Sequence, residues 1–203
     1  MIMDKTSRNK KKTRDEILRA TFELISDKGY LGTTTREIAQ RAGVAEITLF
    51  RHFGSKERLF EEVLNRYSFL PRLREMIPDL KKTPLREGLI TLGITFLKTL
   101  QEKRGMVKIM LSEVNIYPDQ VREVYDRFIA TLLDTLSGYF DSLIKEGTVR
   151  EVDTLFASRA FLGMIYSFFL AEEIIKGRTL SDKNAEKTIA EFVDIYLNGM
   201  LNR

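Results

Sequence analysis

Side chains able to do covalent or metal chemistry are scarce in this chain of 203 residues, which has no cysteine and a single histidine, His52. Without cysteine there is no disulfide, no thiolate nucleophile and no cysteine-ligated zinc. One histidine excludes multi-histidine metal sites and argues against a histidine-dependent triad. Serine, lysine and carboxylate chemistry remain, but the chain carries neither a Gly-rich phosphate cradle nor a Gly-x-Ser-x-Gly turn. No enzyme activity, cofactor or metal is expected. Charge is the more informative property. From Met1 to Arg58 there are 13 Lys plus Arg against 8 Asp plus Glu, a net +5, and the rest of the chain carries 20 against 21, a net −1. The excess lies in Lys5, Arg8, Lys10, Lys11, Lys12 and Arg14, a cluster without an acidic residue. Such a run meets a phosphate backbone and releases its counterions; taken by itself it also fits a solvated tail.

Thr34 to Phe53 reads as two short helices joined by a very tight turn. Ala39 is small enough to let the second helix cross closely over the first, and Gly43 sits where the turn needs a residue without a Cβ. Ile38, Val44 and Leu49 are the apolar residues that lock the crossing. The exposed face of the second helix then offers Glu46, Ile47, Thr48, Arg51 and His52 to a major groove about 12 Å wide. A plain αα-corner has the same glycine. The combination of Ala39, Gly43 and Leu49 with a basic segment ahead of it favours DNA binding.

The string Thr33-Thr34-Thr35-Arg36-Glu37-Ile38-Ala39-Gln40-Arg41-Ala42-Gly43-Val44, followed by Thr48-Leu49-Phe50-Arg51-His52-Phe53 and Ser55-Lys56-Glu57-Arg58-Leu59, resembles the DNA-binding domain of TetR-family regulators. The resemblance runs from about Thr13 to Tyr67; beyond it only the number and lengths of the helices agree. It implies that Thr33, Thr34 and Thr35 offer hydroxyls and amides to a phosphate at a helix N-terminus. Thr48, His52 and Lys56 would contact phosphates flanking the groove, and Ala45, Glu46 and Ile47, with Arg36 from the preceding helix, would read bases. Three residues depart from the usual pattern. Ile47 stands where glycine is common, and either meets a thymine methyl or holds the backbone off the bases. Phe50 replaces a frequent tyrosine, loses the phenolic donor and is expected to pack. Glu46 would repel phosphate unless it accepts from a cytosine amino group.

The elements that must position these residues are all helical. No stretch alternates with period two, and 43% hydrophobic residues suffice for a sizeable core. The first helix is expected over about Thr13 to Asp27, with Ile17, Ala20, Thr21, Leu24 and Ile25 on one face, behind a basic arm of residues 1–12. Thr34 and Glu37 form a capping box for the next helix, Ala45 to Phe53 follows, and Ser55 caps a longer helix to about Leu70. Pro71 and Pro78 predict a joint there, dividing a helix-turn-helix domain (13–70, motif 34–53) from a C-terminal effector-binding and dimerisation domain (71–203). Further helices are expected over Pro84 to Gln101, Met106 to Asn115, Gln120 to Glu146, Val152 to Lys176 and Ser181 to Leu201. The fold class is all-α: a three-helix reading head and a larger helical domain, about nine helices in total.

The last helix places Ile189, Phe192, Val193, Tyr196, Leu197, Met200 and Leu201 at helical spacing, and the one before it is apolar over Ala160 to Ala171. With Phe161, Ile165, Phe168 and Phe169 these residues are expected to pair with their symmetry mates in a homodimer; an intramolecular core is the alternative. The resemblance also implies an inducer pocket among the middle helices. Phe96, Leu100, Met106, Met110, Phe128, Ile129 and Leu132 would line it, with Tyr125 and Tyr166 as polar handles. The partners are then double-stranded operator DNA, a small apolar or amphipathic effector and a second copy. The apolar run is well short of the ~20 residues a spanning helix needs, and no secretory leader precedes it, so cytoplasmic residence without membrane attachment is expected. The function read from these features is a ligand-released transcriptional repressor. A carboxylate-based helical hydrolase and an effector-free architectural DNA-binding protein are the rivals.

Overall fold

The computed structural model describes residues 5–200, with side chains from Arg8 to Asn198. Among them the chain is helical throughout and contains no strand. The elements are α1 (Lys5–Lys28), α2 (Thr35–Arg41), α3 (Glu46–Phe53), α4 (Lys56–Tyr67), α5 (Leu70–Leu80), α6 (Leu85–Glu102), α7 (Arg104–Glu113), a 3₁₀ turn (Val114–Ile116), α8 (Asp119–Lys145), α9 (Thr154–Phe169) with a π-helical continuation (Leu170–Ile175), and α10 (Asp182–Met200). They form two compact units. One comprises the residues up to Ser68 together with Gly105–Phe128, the other Phe69–Arg104 together with the residues from Ile129 onward.

In the first unit, Ile17, Ala20, Thr21, Leu24 and Ile25 are buried, as the apolar spacing of α1 requires. Helix α1 packs on α2 and α4, and α3 bridges α2 and α4. The helix begins at Lys5 rather than near Thr13. The basic segment read as an arm is therefore a helical extension wherever it is described. Lysine and arginine are good helix formers and no glycine or proline interrupts them, but an all-polar turn leaves no apolar periodicity to read. Residues 1–4 of that arm, and the side chain of Lys5, lie outside the described residues.

The second unit is organised around α6, which packs against α5, α9 and α10. A helix occupies Leu70–Leu80, where the two prolines predict a joint. Pro71 falls in its first turn, where no amide donor is needed. Pro78 lies in the exposed last turn, and the burial of Leu70, Leu73 and Leu80 offsets what it disrupts. On α6, Leu89, Leu92, Phe96 and Leu97 are buried, and Gly93 makes the crossing close: a Cβ there would lie 2.7 Å from Ile189 Cγ2 and 3.1 Å from Ile165 Cδ1. Only hydrogen fits.

This crossing corrects most of the expected dimer surface. Phe161, Ile165, Phe169, Ile189, Val193, Tyr196 and Leu197 are buried within the protomer, which uses them as its own core. Their helical spacing defines the buried face without saying what buries it. Phe168 and Phe192 are half-buried and meet edge to face at 5.5 Å. The side chain of Met200, and all of Leu201, lie outside the described residues. The outward apolar side chains of these helices are instead Leu155, Phe156, Ile175 and Ile195. Thr154–Ile175 is long and apolar enough to cross a membrane by length and composition; Phe161, Ile165 and Phe169 on it are buried within the protomer.

Glu173 and Tyr139, both buried in this unit, are unequally provided with partners. Glu173, in the π-helical segment, accepts from Gln101 Nε2 at 2.5 Å, and Arg104 donates to its carbonyl. Tyr139 keeps its hydroxyl without a hydrogen-bond partner among the described residues, and burial, followed by the nearby Glu146 charge, pushes its phenol up to about 12.

Candidate nucleic-acid interface

Helix α2 starts where Thr34 turns out of extended backbone and its hydroxyl accepts from the Glu37 amide at 3.2 Å. Glu37 answers by accepting from the Thr34 amide at 2.9 Å, which closes the capping box. Lys28 donates to the same carboxylate at 2.6 Å and ties α1 to the start of α2. Together, Lys28 first and then the Thr34 donors, these contacts pull the Glu37 carboxyl down to about 2.

The turn to α3 depends on Gly43, whose φ is +70°. A Cβ at Gly43 would meet nothing within 4 Å, so the constraint is on backbone conformation, not on space. For other residues this left-handed region costs about 1–2 kcal/mol. The Gly43 amide donates to Gln40 and the Val44 amide to Ala39, closing the end of α2. Helix α3 has only 8 residues and no side-chain N-cap. A helix that short does not persist alone, so its existence rests on the burial of Leu49 and Phe53 together with Ile38 and Ala39.

What α3 turns outward is Ile47, Phe50 and Arg51, at positions i, i+3 and i+4. Ile47 is 75% exposed. Phe50, expected to pack, is 40% exposed and joins it. Arg36, Ala45 and Arg51 are exposed, and Thr48 and His52 are half-buried. The His52 imidazole is held below its ordinary value, first by burial and then by the charges of Lys10, Arg51 and Arg14. Arg14 stacks over the Phe53 ring at 5.2 Å and pairs with Glu62. Arg8, Lys11 and Lys12 line an open groove of about 640 Å³ that also contains Asp15, Glu16 and Arg66.

Several expected contact residues are already engaged. Thr33 is buried, its hydroxyl donating to the Gly29 carbonyl at 2.7 Å and its amide to Tyr30. It is unavailable to a phosphate. The Thr34 hydroxyl belongs to the capping box, and the Thr35 hydroxyl donates to Glu46 Oε1 at 2.5 Å. Glu46 is thereby an internal acceptor joining α2 to α3, which resolves the oddity of a carboxylate at this position. Lys56 donates to the Tyr30 carbonyl at 2.6 Å, lies 4.0 Å from the Tyr30 ring centroid, and is held below its ordinary value chiefly by burial. It acts as an inward strut.

One organising residue gave no sequence signal. Glu113, at the end of α7, accepts from the Tyr30 amide at 2.9 Å, the Leu31 amide at 3.1 Å and the Tyr117 hydroxyl at 3.1 Å. It thus fixes the turn that delivers α2, from more than eighty positions away. Tyr30 in turn donates its hydroxyl to Glu57 at 3.0 Å.

The residues expected around an effector fall into the two units. Met106, Met110, Tyr125 and Phe128 belong to the first, with Tyr125 and Phe128 rings 6.4 Å apart. Phe96, Leu100, Ile129, Leu132 and Tyr166 belong to the second, where Phe96 and Leu132 are buried and Phe96 meets Phe69 at 4.9 Å.

A glycine-turned helix pair presenting an exposed face beside a basic helix defines a helix-turn-helix DNA-binding protein. Residues 17–63 match the family model of bacterial regulatory proteins of the tetR family, and residues 87–199 match the C-terminal domain of AefR-like transcriptional repressors. The chain belongs to the TetR family: it is a DNA-binding transcriptional regulator and not an enzyme. The HTH-type transcriptional regulator YvkB of Bacillus subtilis (strain 168), itself uncharacterized, is 28% identical over 184 residues, covering 89% of this chain and 95% of that protein. Among solved structures, a TetR-family regulator from Mesorhizobium loti MAFF303099 superposes with a TM-score of 0.75 at 22% identity over 98% of this chain and 100% of the other. FadR from Bacillus subtilis, in complex with stearoyl-CoA, gives 0.72 at 19% identity over 91% and 97%. At these identities the structural likeness concerns the fold.

The Glu37 carboxyl supplies a prediction about acid stability. Its folded value of about 2 lies below its ordinary 4.5, so its contribution is complete above 4.5 and is lost as pH falls toward 2. Thermal melts of the wild type and Glu37→Gln are expected to differ most near neutrality and to converge over that interval. A gap that stays constant down to pH 2 would contradict this role.

Proposed function

We propose that this regulator is a homodimeric repressor that holds operator DNA with α3 and is released when a small apolar or amphipathic molecule binds its C-terminal helices. The reading rests on the outward row of Ile47, Phe50 and Arg51, with Arg14 of α1 stacked over Phe53 of the same helix. Ala45, Ile47 and Arg36 are assigned to base edges, and Thr48, Arg51 and His52 to phosphates. The division of labour falls near residue 70, supported by the two family matches on either side of it. The protein works where the chromosome is, in the cytoplasm.

The dimer surface is assigned to the outward face that the core leaves free: Phe156, Phe168, Phe192 and Ile195, around Gly163, which has open space over it. A pair of helices from each protomer would bury these side chains in a four-helix seam and set the two reading heads at a fixed spacing. The effector contacts are assigned to Phe96, Leu100, Ile129 and Leu132. Tyr166 and Tyr139 are the polar handles; the Tyr139 hydroxyl, buried without a partner among the described residues, gains when a ligand supplies one. A long-chain acyl thioester such as that held by the FadR neighbour fits this chemical class. Any effector must favour the released state over the bound one, because equal affinity for both shifts nothing.

Two outcomes are expected. In fluorescence anisotropy, duplex affinity should fall by more than roughly a hundredfold between about 50 and 200 mM salt, as counterion release at several phosphates requires. A flat salt response would overturn DNA gripping by this basic surface. Ile195→Glu should convert the dimer to folded monomer in sedimentation equilibrium while leaving the helical circular-dichroism signal intact. A variant that remains dimeric would move the interface elsewhere.

A further inference from the structure

Residues at the front of α3 cannot all read bases by hydrogen bonding. Ala45 has no polar side-chain atom, and the Glu46 carboxylate is spent on the Thr35 hydroxyl at 2.5 Å. Next to them in the sequence stands Ile47, the most exposed large apolar side chain of α3, on a face it shares with Arg51 one turn along. In solution such exposure has no compensation. Against a base pair its best apolar counterpart in the major groove is the C5-methyl group of thymine; guanine, cytosine and adenine edges carry no methyl group there. A phosphate does not fill the role, because it is charged and offers no apolar surface.

We infer that Ile47 is a specificity-determining residue that selects a thymine in each operator half-site by apolar contact with its methyl group. This rests on the DNA-binding reading above and goes beyond it by fixing one base identity and the atom recognised. Burying one methyl group contributes about 0.8 kcal/mol, so removing it weakens binding about fourfold per half-site, or roughly fifteenfold in a two-fold symmetric site. The contact adds no charge, so it leaves the salt slope unchanged.

The test uses the full-length protein. A duplex is selected from a random unmethylated pool, and each thymine in it is then replaced in turn by deoxyuridine, which deletes only the methyl group. The wild type is expected to lose about fourfold affinity at one thymine per half-site. Ile47→Ala should bind more weakly overall and be indifferent to deoxyuridine at that position, whereas Ile47→Val, which keeps two methyl groups, should retain most of the sensitivity. Because the side chain is exposed, neither substitution threatens folding. A flat deoxyuridine scan in a protein that binds its selected duplex overturns the inference and leaves DNA binding intact. So does an Ile47→Ala variant as sensitive as the wild type. If no duplex is selected at all, the DNA-binding reading falls and this inference with it.

Discussion

Helix α3 has eight residues, no side-chain cap and an apolar outward face, and nothing intrinsic to it would keep it folded in water. It exists because Leu49 and Phe53 are buried on its inner side, against a neighbour that the left-handed Gly43 turn brings close. Each large apolar side chain fully buried contributes about 1.5–3 kcal/mol toward holding so short a segment in place. The rest of the first unit serves to keep this contact in place. Glu37 and Lys28 tie α2 to α1, Thr35 and Glu46 tie α2 to α3, Arg14 covers Phe53, and Glu113 holds the turn before α2.

Polar residues that look like DNA contacts in sequence divide accordingly into two groups. Thr33, Thr34, Thr35, Glu46 and Lys56 are consumed in building the corner, while Arg36, Thr48, Arg51 and His52 remain available at its surface. The surface is therefore more apolar than its composition implies, with Ile47 and Phe50 in the middle of it. A reading head of this kind gains general affinity from charge and discrimination from shape and methyl contacts.

Much of this was legible because local signals have short range. The capping box of Thr34 and Glu37, the glycine turn and the buried face of α1 are all written within a few residues. The helical extension back to Lys5 was not, since a polar helix has no stripe; nor was α5, whose Pro71 sits in a tolerated first-turn position and whose Pro78 is offset by the burial of Leu70, Leu73 and Leu80. The buried seam of α9 and α10 was visible as a pattern but not as a location: apolar periodicity in Ile189, Val193 and Leu197 is the same whether α6 or a second copy covers it. Only Gly93, with no room for a Cβ beside Ile165 and Ile189, distinguishes the two, and that needs coordinates. Glu113 lies beyond any spacing rule, because its partners at Tyr30 and Leu31 are brought to it by tertiary folding.

The corner formed by α2 and α3 is proposed as the surface that meets DNA. Hydrogen–deuterium exchange of the protein with and without a bound duplex tests it most directly. Added protection is expected to concentrate in peptides spanning residues 35–53 and in the exposed turns of α1 around residues 8–14. Protection confined to α9 and α10, with residues 35–53 exchanging at the same rate in both states, would contradict it.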